Sequence, residues 1–367
     1  MNTQQHKARV LAYYLPQFHP IPENDKWWGR GFTEWTNVGK AKPLFPGHYQ
    51  PRVPADLGYY DLRVPETREA QAEIAREYGV EGFVYWHYWF GNGKRLLERP
   101  FNEVLESGKP DFPFALAWAN QTWSGTLHGL VEGNTLIEQT YPGVEDYISH
   151  FNAILPALKD KRYIQCDNKP IFIVYNPTEI SNMAEFILLW QKLAKENGLN
   201  GIHFIALCQN FYKEHEKVEF YNNMMALGFD AINVINLRMD RCEMPFFRRL
   251  FYKIVRKLFN TPLLFDYDDR AFITDICFSN NNVYPTVVPN WDHSPRSGRK
   301  GAVMLNSSPE KFQQTMHKMV TGLQHKPLDQ RFLFVKSWNE WAEGNYLEPD
   351  RKYGYSWLNA IKNEVLK

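Results

Sequence analysis

Short apolar runs, each followed by a stretch of helical periodicity, recur along this chain, and that alternation narrows its folds more than any other feature. The expected strands are Arg9–Leu15, Glu81–Tyr88, Phe114–Ala119, Pro170–Tyr175, His203–Cys208, Asp230–Val234, Thr286–Pro289 and Phe332–Lys336. Runs such as FIVY and FLFV are apolar on both faces, as parallel strands covered on two sides must be. Helical patterns fall between them at Pro65–Tyr78, Val144–Lys159, Ser181–Asn197, Glu216–Leu227 and Pro309–His325, and Tyr355–Lys367 reads as a closing amphipathic helix. Eight such repeats in 367 residues predict a (β/α)8 TIM barrel. The expectation is one catalytic domain over residues 1–367, with long βα loops and a basic amphipathic insertion around 243–265. A doubly wound sheet would usually carry a glycine-rich phosphate turn after its first strand, where this chain reads LPQFHP.

A barrel presents its functional residues where strands end and βα loops begin. Those positions hold Tyr14, Gln17 and His19 after the first strand, then Trp28, Glu34 and Trp35 in the segment WWGRGFTEW. The second strand ends in Trp86, His87 and Tyr88, and the third in Trp118, Asn120 and Trp123. Tyr175 closes the fourth, Gln209 and Asn210 the fifth, and Trp291 and Asp292 the seventh; Trp338, Asn339 and Trp341 follow the eighth. With 12 Trp, 20 Tyr and 25 Phe, 16% of the chain is aromatic. Any one of these tryptophans is more readily core packing than a ligand platform. Seven strand ends enriched together suit a sugar, whose C–H faces stack on flat rings while its hydroxyls need in-plane donors and acceptors.

Other features exclude partners. The 42 basic and 41 acidic residues cancel to +1, so no global field selects nucleic acid. Cys166, Cys208, Cys242 and Cys277 form no CxxC pair, which argues against a structural zinc or a disulfide framework and fits a reducing compartment. Pro16 and Pro20 cut short any apolar leader, and no run of membrane-spanning length occurs. The expected location is the cytoplasm; no metal or organic cofactor is implied.

The sharpest signal is Trp338-Asn339-Glu340-Trp341-Ala342-Glu343-Gly344, followed by Glu348-Pro349. Glu340 and Glu343 lie three apart at the end of the last strand, so a helical turn there would aim both carboxylates the same way. Cleaving a glycosidic bond uses two carboxyl groups, one protonating the leaving oxygen and one serving the nucleophilic step. Crowding under tryptophan walls should raise the pKa of one of them. Glu340 and Glu343 are the expected catalytic residues.

The stretch EWAEGNYLEP resembles the EWxEGxxxEP signature of glycoside hydrolase family 99, which includes endo-α-mannosidases on a (β/α)8 barrel. YYLPQFHPIPEND with WWGRGFTEW resembles the WbsX-like branch found in surface-polysaccharide gene clusters and associated with glycosyltransferases of lipopolysaccharide O-antigen synthesis. The likeness runs from about Arg9 to the C-terminus. It implies that Glu340 acts as general base on the sugar's own 2-hydroxyl, giving a 1,2-anhydro sugar. It implies that Glu343 protonates the leaving oxygen and then activates water, with net retention.

Two other readings share the same residues. A glycosyltransferase using an activated donor is favoured by the WbsX likeness and by Asp266-Tyr267-Asp268, which has the DxD form that binds a metal and diphosphate in some transferases. The same acids, with Asp269, also read as a charge cluster at a helix start. A non-catalytic carbohydrate-binding barrel is the third reading. Finally, Phe246–Phe259 (FFRRLFYKIVRKLF) places apolar residues at helical spacing opposite Arg248, Arg249, Lys253, Arg256 and Lys257. That form suits peripheral contact with the inner membrane face or a lipid-linked glycan, although packing of its apolar face on the barrel is the favoured expectation.

Overall fold

The computed structural model describes residues 6–125, 134–209, 211, 213–236 and 246–366. Asn210, Cys242 and residues 243–245 of the basic insertion lie outside the described residues, as do the side chains of Phe246, Arg248 and Arg249.

Eight strands form the barrel: β1 (Arg9–Tyr14), β2 (Gly82–Trp89), β3 (Phe114–Trp118), β4 (Lys169–Val174), β5 (His203–Gln209), β6 (Ala231–Ile235), β7 (Val283–Val287) and β8 (Phe332–Val335). Each pairs in parallel with its successor. β8 returns to β1 with Val10 opposite Leu333, which closes the sheet into the expected (β/α)8 barrel. Seven strands fall within a residue or two of their expected positions. The seventh starts at Val283 and not at Thr286, because it contains Pro285, opposite Val234. Proline cannot donate to a ladder and so reads as a strand boundary in sequence.

Helices cover the outside at Pro65–Glu77, Arg99–Ser107, Val144–Leu158, Met183–Glu196, Glu214–Leu227, Pro309–Gly322 and Ser356–Val365. Pro65 and Pro309 open their helices with φ already set for the first turn. The Ser308 side chain also caps its helix by accepting from the Lys311 N–H.

Strand alternation divides neighbouring side chains between two cores. Tyr13 points into the barrel, stacking on Trp86 with ring centroids 4.6 Å apart and donating across the interior to Asn233 of β6 at 2.7 Å. Tyr14 points outward and donates to Gln71 of the first covering helix at 2.7 Å.

The sixth unit departs from the pattern. Helix Phe246–Phe259 comes first, then strand Leu263–Asp266, which pairs in parallel with Ala302–Leu305 outside the barrel. A short helix, Asp275–Ser279, then leads into β7. The expectation that the long helix buries its apolar face on the barrel is not met: Phe247, Leu250, Phe251, Ile254, Leu258 and Phe259 are all exposed. Tyr252 and Val255, on another side of the helix, are half-buried instead. Among the described residues, no helix is long and apolar enough to cross a membrane.

Candidate active site

At the C-terminal mouth of the barrel lies a cavity of about 110 Å³. Leu15 and Gln17 line it from the end of β1, Trp86 and Tyr88 from β2, and Ala119, Gln121 and Trp123 from beyond β3. Tyr175 follows β4, Arg296 belongs to the loop after β7, and Lys336, Glu340 and Glu343 follow β8. A larger cavity, about 680 Å³, opens at the opposite end of the barrel, where the strands begin. Its two acids, Glu81 and Asp329, are both paired with Arg9, and its place at the bottom face suits stability more than chemistry.

The carboxylates are aimed by a tight hairpin. Asn339–Glu340 pairs antiparallel with Asn345–Tyr346, and Trp341–Glu343 forms a 3-10 turn between them. In a 3-10 turn residues i and i+3 eclipse, so this turn, and not an α-helical one, sends Glu340 and Glu343 the same way. Gly344 closes the turn at φ +63°, and a Cβ there would sit 2.7 Å from Cβ of Asp292. The Asn339 side chain accepts from Leu15 N–H at 2.7 Å and donates to Leu15 C=O at 3.0 Å, tying the hairpin to the end of β1.

Glu340 Oε1 accepts from Trp86 Nε1 at 2.8 Å, and its Oε2 accepts from Lys336 Nζ at 3.1 Å. Glu343 accepts from Arg296, which also donates to Glu34 at 3.2 Å. Lys336 Nζ also lies 3.7 Å from Glu343 Oε2, so the two carboxyls share one ammonium. Asn345 Nδ2 lies 3.4 Å from an oxygen of each. Burial pushes the Glu340 carboxyl up against the pull of Lys336, and the neighbouring Glu343 charge pushes it the same way. Burial also acts to raise Glu343, but Arg296, Lys336 and His293 outweigh it and hold that carboxyl well below the usual range. The opposite directions make Glu340 the more readily protonated of the two. Two carboxyls that shift one another titrate as a unit.

Of the residues expected to meet a ligand, Gln17, Trp86, Tyr88, Trp123, Tyr175, Glu340 and Glu343 line the cavity together. Gln17 is buried there with its Nε2 unpartnered. Glu34 holds Arg296, and Trp291 lies beside Lys336, whose ammonium is 5.6 Å from the ring centroid.

Others stand behind the wall. Tyr14, His87 and Trp118 occupy outward positions of their strands: His87 pairs with His150 of helix Val144–Leu158 at 2.8 Å, and Trp118 donates to the Trp89 carbonyl at 2.9 Å. His19 is held by the Pro16 carbonyl at 2.9 Å. Asn120 latches the ends of β3 and β4 by accepting from Asn176 N–H at 2.8 Å, and Gln209 Nε2 lies 3.4 Å from Asn176 Oδ1. Trp28 packs on Phe32, and Trp35 donates to the Tyr60 carbonyl at 2.8 Å while its ring meets Trp341.

Trp338 is fully buried against Phe83, and Trp341 stacks on Tyr346 with centroids 3.8 Å apart. Trp341 Nε1 donates to Glu348 at 2.6 Å. Asp292 is buried, accepting from His48 at 2.8 Å, Gln50 at 2.6 Å and the Ser294 N–H at 2.9 Å. Its own N–H donates to the Glu343 carbonyl at 2.6 Å. These buried groups shape the turn that carries the acids.

The sequence reading missed Lys336 and Arg296. Lys336 was legible as the last residue of an expected strand, four before Glu340; Arg296, in the short helix Ser294–Ser297, carries no local signal. The acids of the DxD segment are engaged elsewhere. Asp266 accepts from Tyr252 at 2.9 Å and Asn306 at 2.6 Å, Asp268 caps the turn Asp269–Ala271 and pairs with Arg270, and Asp269 pairs with Lys318. This is the charge cluster of the alternative reading.

A family model described as glycosyltransferase WbsX matches residues 10–361. Two proteins of Xanthomonas campestris pv. campestris, from different strains and both described as uncharacterized protein WxcX, are 36% and 35% identical over 366 residues. The match covers 98% of this chain and 50% of each of theirs, so the chain spans about half the length of the curated relatives it matches. Among solved structures, a glycoside hydrolase-like protein superposes with a TM-score of 0.62 at 13% identity, covering 99% of this chain and 95% of the other. The GH99 endo-α-mannosidase of Bacteroides thetaiotaomicron gives 0.57 at 13% identity, covering 97% and 96%. At such identities the structural likeness carries the fold alone.

Proposed function

The chain belongs to the WbsX glycosyltransferase family, a family of carbohydrate-active enzymes, and from that premise we propose that it acts on glycosidic bonds through the Glu340–Glu343 pair, as a retaining hydrolase of an α-linked oligosaccharide or surface polysaccharide. The observation that carries this reading is that one ammonium, Lys336, lies 3.1 Å from Glu340 and 3.7 Å from Glu343 at the barrel mouth, with Arg296 also paired to Glu343.

In the resting pair we place the shared proton on Glu340, the carboxyl that its surroundings shift upward. As a sugar's 2-hydroxyl approaches Glu340, that proton passes to Glu343. Glu340, now a carboxylate, takes the hydroxyl proton while O2 attacks C1. The C1–O bond to the leaving group breaks as Glu343 protonates the departing oxygen. Water, deprotonated by Glu343, then opens the 1,2-anhydro sugar at C1, and O2 recovers its proton from Glu340. Two inversions give net retention, with no covalent bond to the protein. Lys336 and Arg296 offset the negative charge that develops on the pair. Trp86, Tyr88, Trp123 and Tyr175 offer ring faces to the sugar, and Gln17 offers a free donor.

Transfer is the second reading, and the family description favours it. A sugar hydroxyl in place of water at the second step would turn the same site into a transferase without new residues. The DxD acids do not support a metal–diphosphate site, since each already holds a partner. Incubating the protein with α-linked oligosaccharides, with and without nucleotide sugars, and weighing the products by mass spectrometry decides between the two. Cleavage without a nucleotide sugar supports hydrolysis; chain extension only when one is supplied overturns it. The cytoplasmic location expected from the sequence is likewise a proposal, to be checked by cell fractionation.

A further inference from the structure

Helix Phe246–Phe259 presents an apolar stripe to solvent. Phe247 is 82% exposed, Leu258 71% and Phe251 59%, with Leu250 at 42% and Ile254 at 46%. At 3.6 residues per turn these five side chains fall within about a third of the helix circumference. The protein already holds another side of the helix. Tyr252 and Val255 are half-buried, and the Tyr252 hydroxyl donates to Asp266 at 2.9 Å, fixing the helix to the strand Leu263–Asp266. The stripe is therefore not a face waiting to fold back onto the barrel.

Charge identifies what would cover it. The helix carries five of the chain's 42 basic residues and none of its 41 acidic ones. Lys253 and Lys257, both exposed, border the stripe along one edge, and Arg256 lies exposed opposite it. Lysine stems can lie along an apolar surface while their ammonium groups reach outward to anions. A stripe of large apolar side chains edged by lysines fits the boundary between acyl chains and anionic headgroups. A second copy fits less well, because facing two such stripes would bring two cationic helices together. The strand to which the helix is fixed, Leu263–Asp266, pairs with Ala302–Leu305, and Val303 there bridges to Asp292 beside the acid-bearing turn.

We propose that helix Phe246–Phe259 docks this protein on an anionic phospholipid surface, with Phe247, Leu250, Phe251, Ile254 and Leu258 in the acyl boundary and Lys253 and Lys257 at the headgroups. The docking does not rest on the carboxylate chemistry.

The test is co-sedimentation of the full chain with vesicles of phosphatidylcholine alone and of phosphatidylcholine with about one third phosphatidylglycerol. Wild type is expected to bind the anionic vesicles at least ~10-fold more tightly than the neutral ones, and Phe251→Ser/Leu258→Ser to lose that binding by at least ~10-fold. Lys253→Glu/Lys257→Glu should abolish the preference for phosphatidylglycerol. The replaced side chains are exposed, so unchanged circular dichroism and melting are expected, as is unchanged turnover of a glycan in solution; a docking failure is thus distinguishable from a catalytic one. Wild type left in the supernatant, or binding equal in wild type and Phe251→Ser/Leu258→Ser, overturns the proposal. So does a dimer in sedimentation velocity that the same double substitution dissolves, which would assign the stripe to a second copy.

Discussion

The Lys336 ammonium donates to Glu340 Oε2 at 3.1 Å and also lies 3.7 Å from Glu343 Oε2, so one cation serves both carboxyls of the pair. Preorganised charge in a water-poor site acts strongly on charge that develops there. Lys336→Met keeps most of the stem and removes the charge. It is expected to lower kcat about 10²- to 10³-fold on any glycan the wild type turns over. Activity within a few-fold of wild type would remove the cation from the mechanism.

Strand parity separates two tryptophans that the sequence treats alike. Trp86 points inward and donates to Glu340, whereas Trp118 is outward and donates to the Trp89 carbonyl. Trp86→Phe should lower kcat/KM about 10- to 100-fold with little loss of stability. Trp118→Phe should leave kcat/KM near wild type and cost about 1–2 kcal/mol in urea unfolding, from a cavity and an orphaned carbonyl. The reverse pattern would place the wrong tryptophan in the site.

Gly344 is the pivot of the acid-bearing turn. Its φ of +63° disfavours a side chain, and an added Cβ would meet Asp292 at 2.7 Å. Gly344→Ala is expected to destabilise the fold by about 2 kcal/mol and to lower activity by displacing Glu343. A variant as stable and active as wild type would show that the turn yields freely.

Glu348 makes stability depend on pH. Its burial pushes the carboxyl up to about 7, against the hydrogen bonds it accepts from Trp341, Gln71 and Tyr60. The folded value is above the unfolded one, so the stability gained from the protonated form is complete below about 4.5 and is lost as pH rises to about 7. A shift of that size corresponds to at most about 3 kcal/mol. Glu348→Gln cannot ionise, so it should gain stability relative to wild type across that interval and no further above it. Urea midpoints measured from pH 4.5 to 8 check this, and a constant difference between the two proteins at all pH values would contradict it.

The barrel was legible because buried parallel strands write themselves as short apolar runs, and only Pro285 disguised a boundary. The pair Glu340 and Glu343 was legible too, from spacing and from position after the last strand. The wall was only half legible. Consecutive aromatics at a strand end, such as Trp86-His87-Tyr88, look alike in sequence, but the pleat sends Trp86 and Tyr88 to the cavity and His87 to the helix layer. Arg296 was out of reach, because it meets Glu343 only through a loop closed by tertiary contacts. The outward stripe of helix Phe246–Phe259 ran against the usual preference of amphipathic helices, since Tyr252 and Val255 supply the contact that the larger apolar residues were expected to make.

The most direct test follows one α-linked glycan by anomeric proton NMR with wild type, Glu340→Gln and Glu343→Gln. The account predicts a retained anomer from wild type and a loss of about 10²- to 10⁴-fold in each variant. On an aryl glycoside whose leaving group departs without a proton, Glu343→Gln should recover its first step while Glu340→Gln stays silent. Turnover at the wild-type rate by either variant, or an inverted product from wild type, would contradict the paired-carboxylate mechanism.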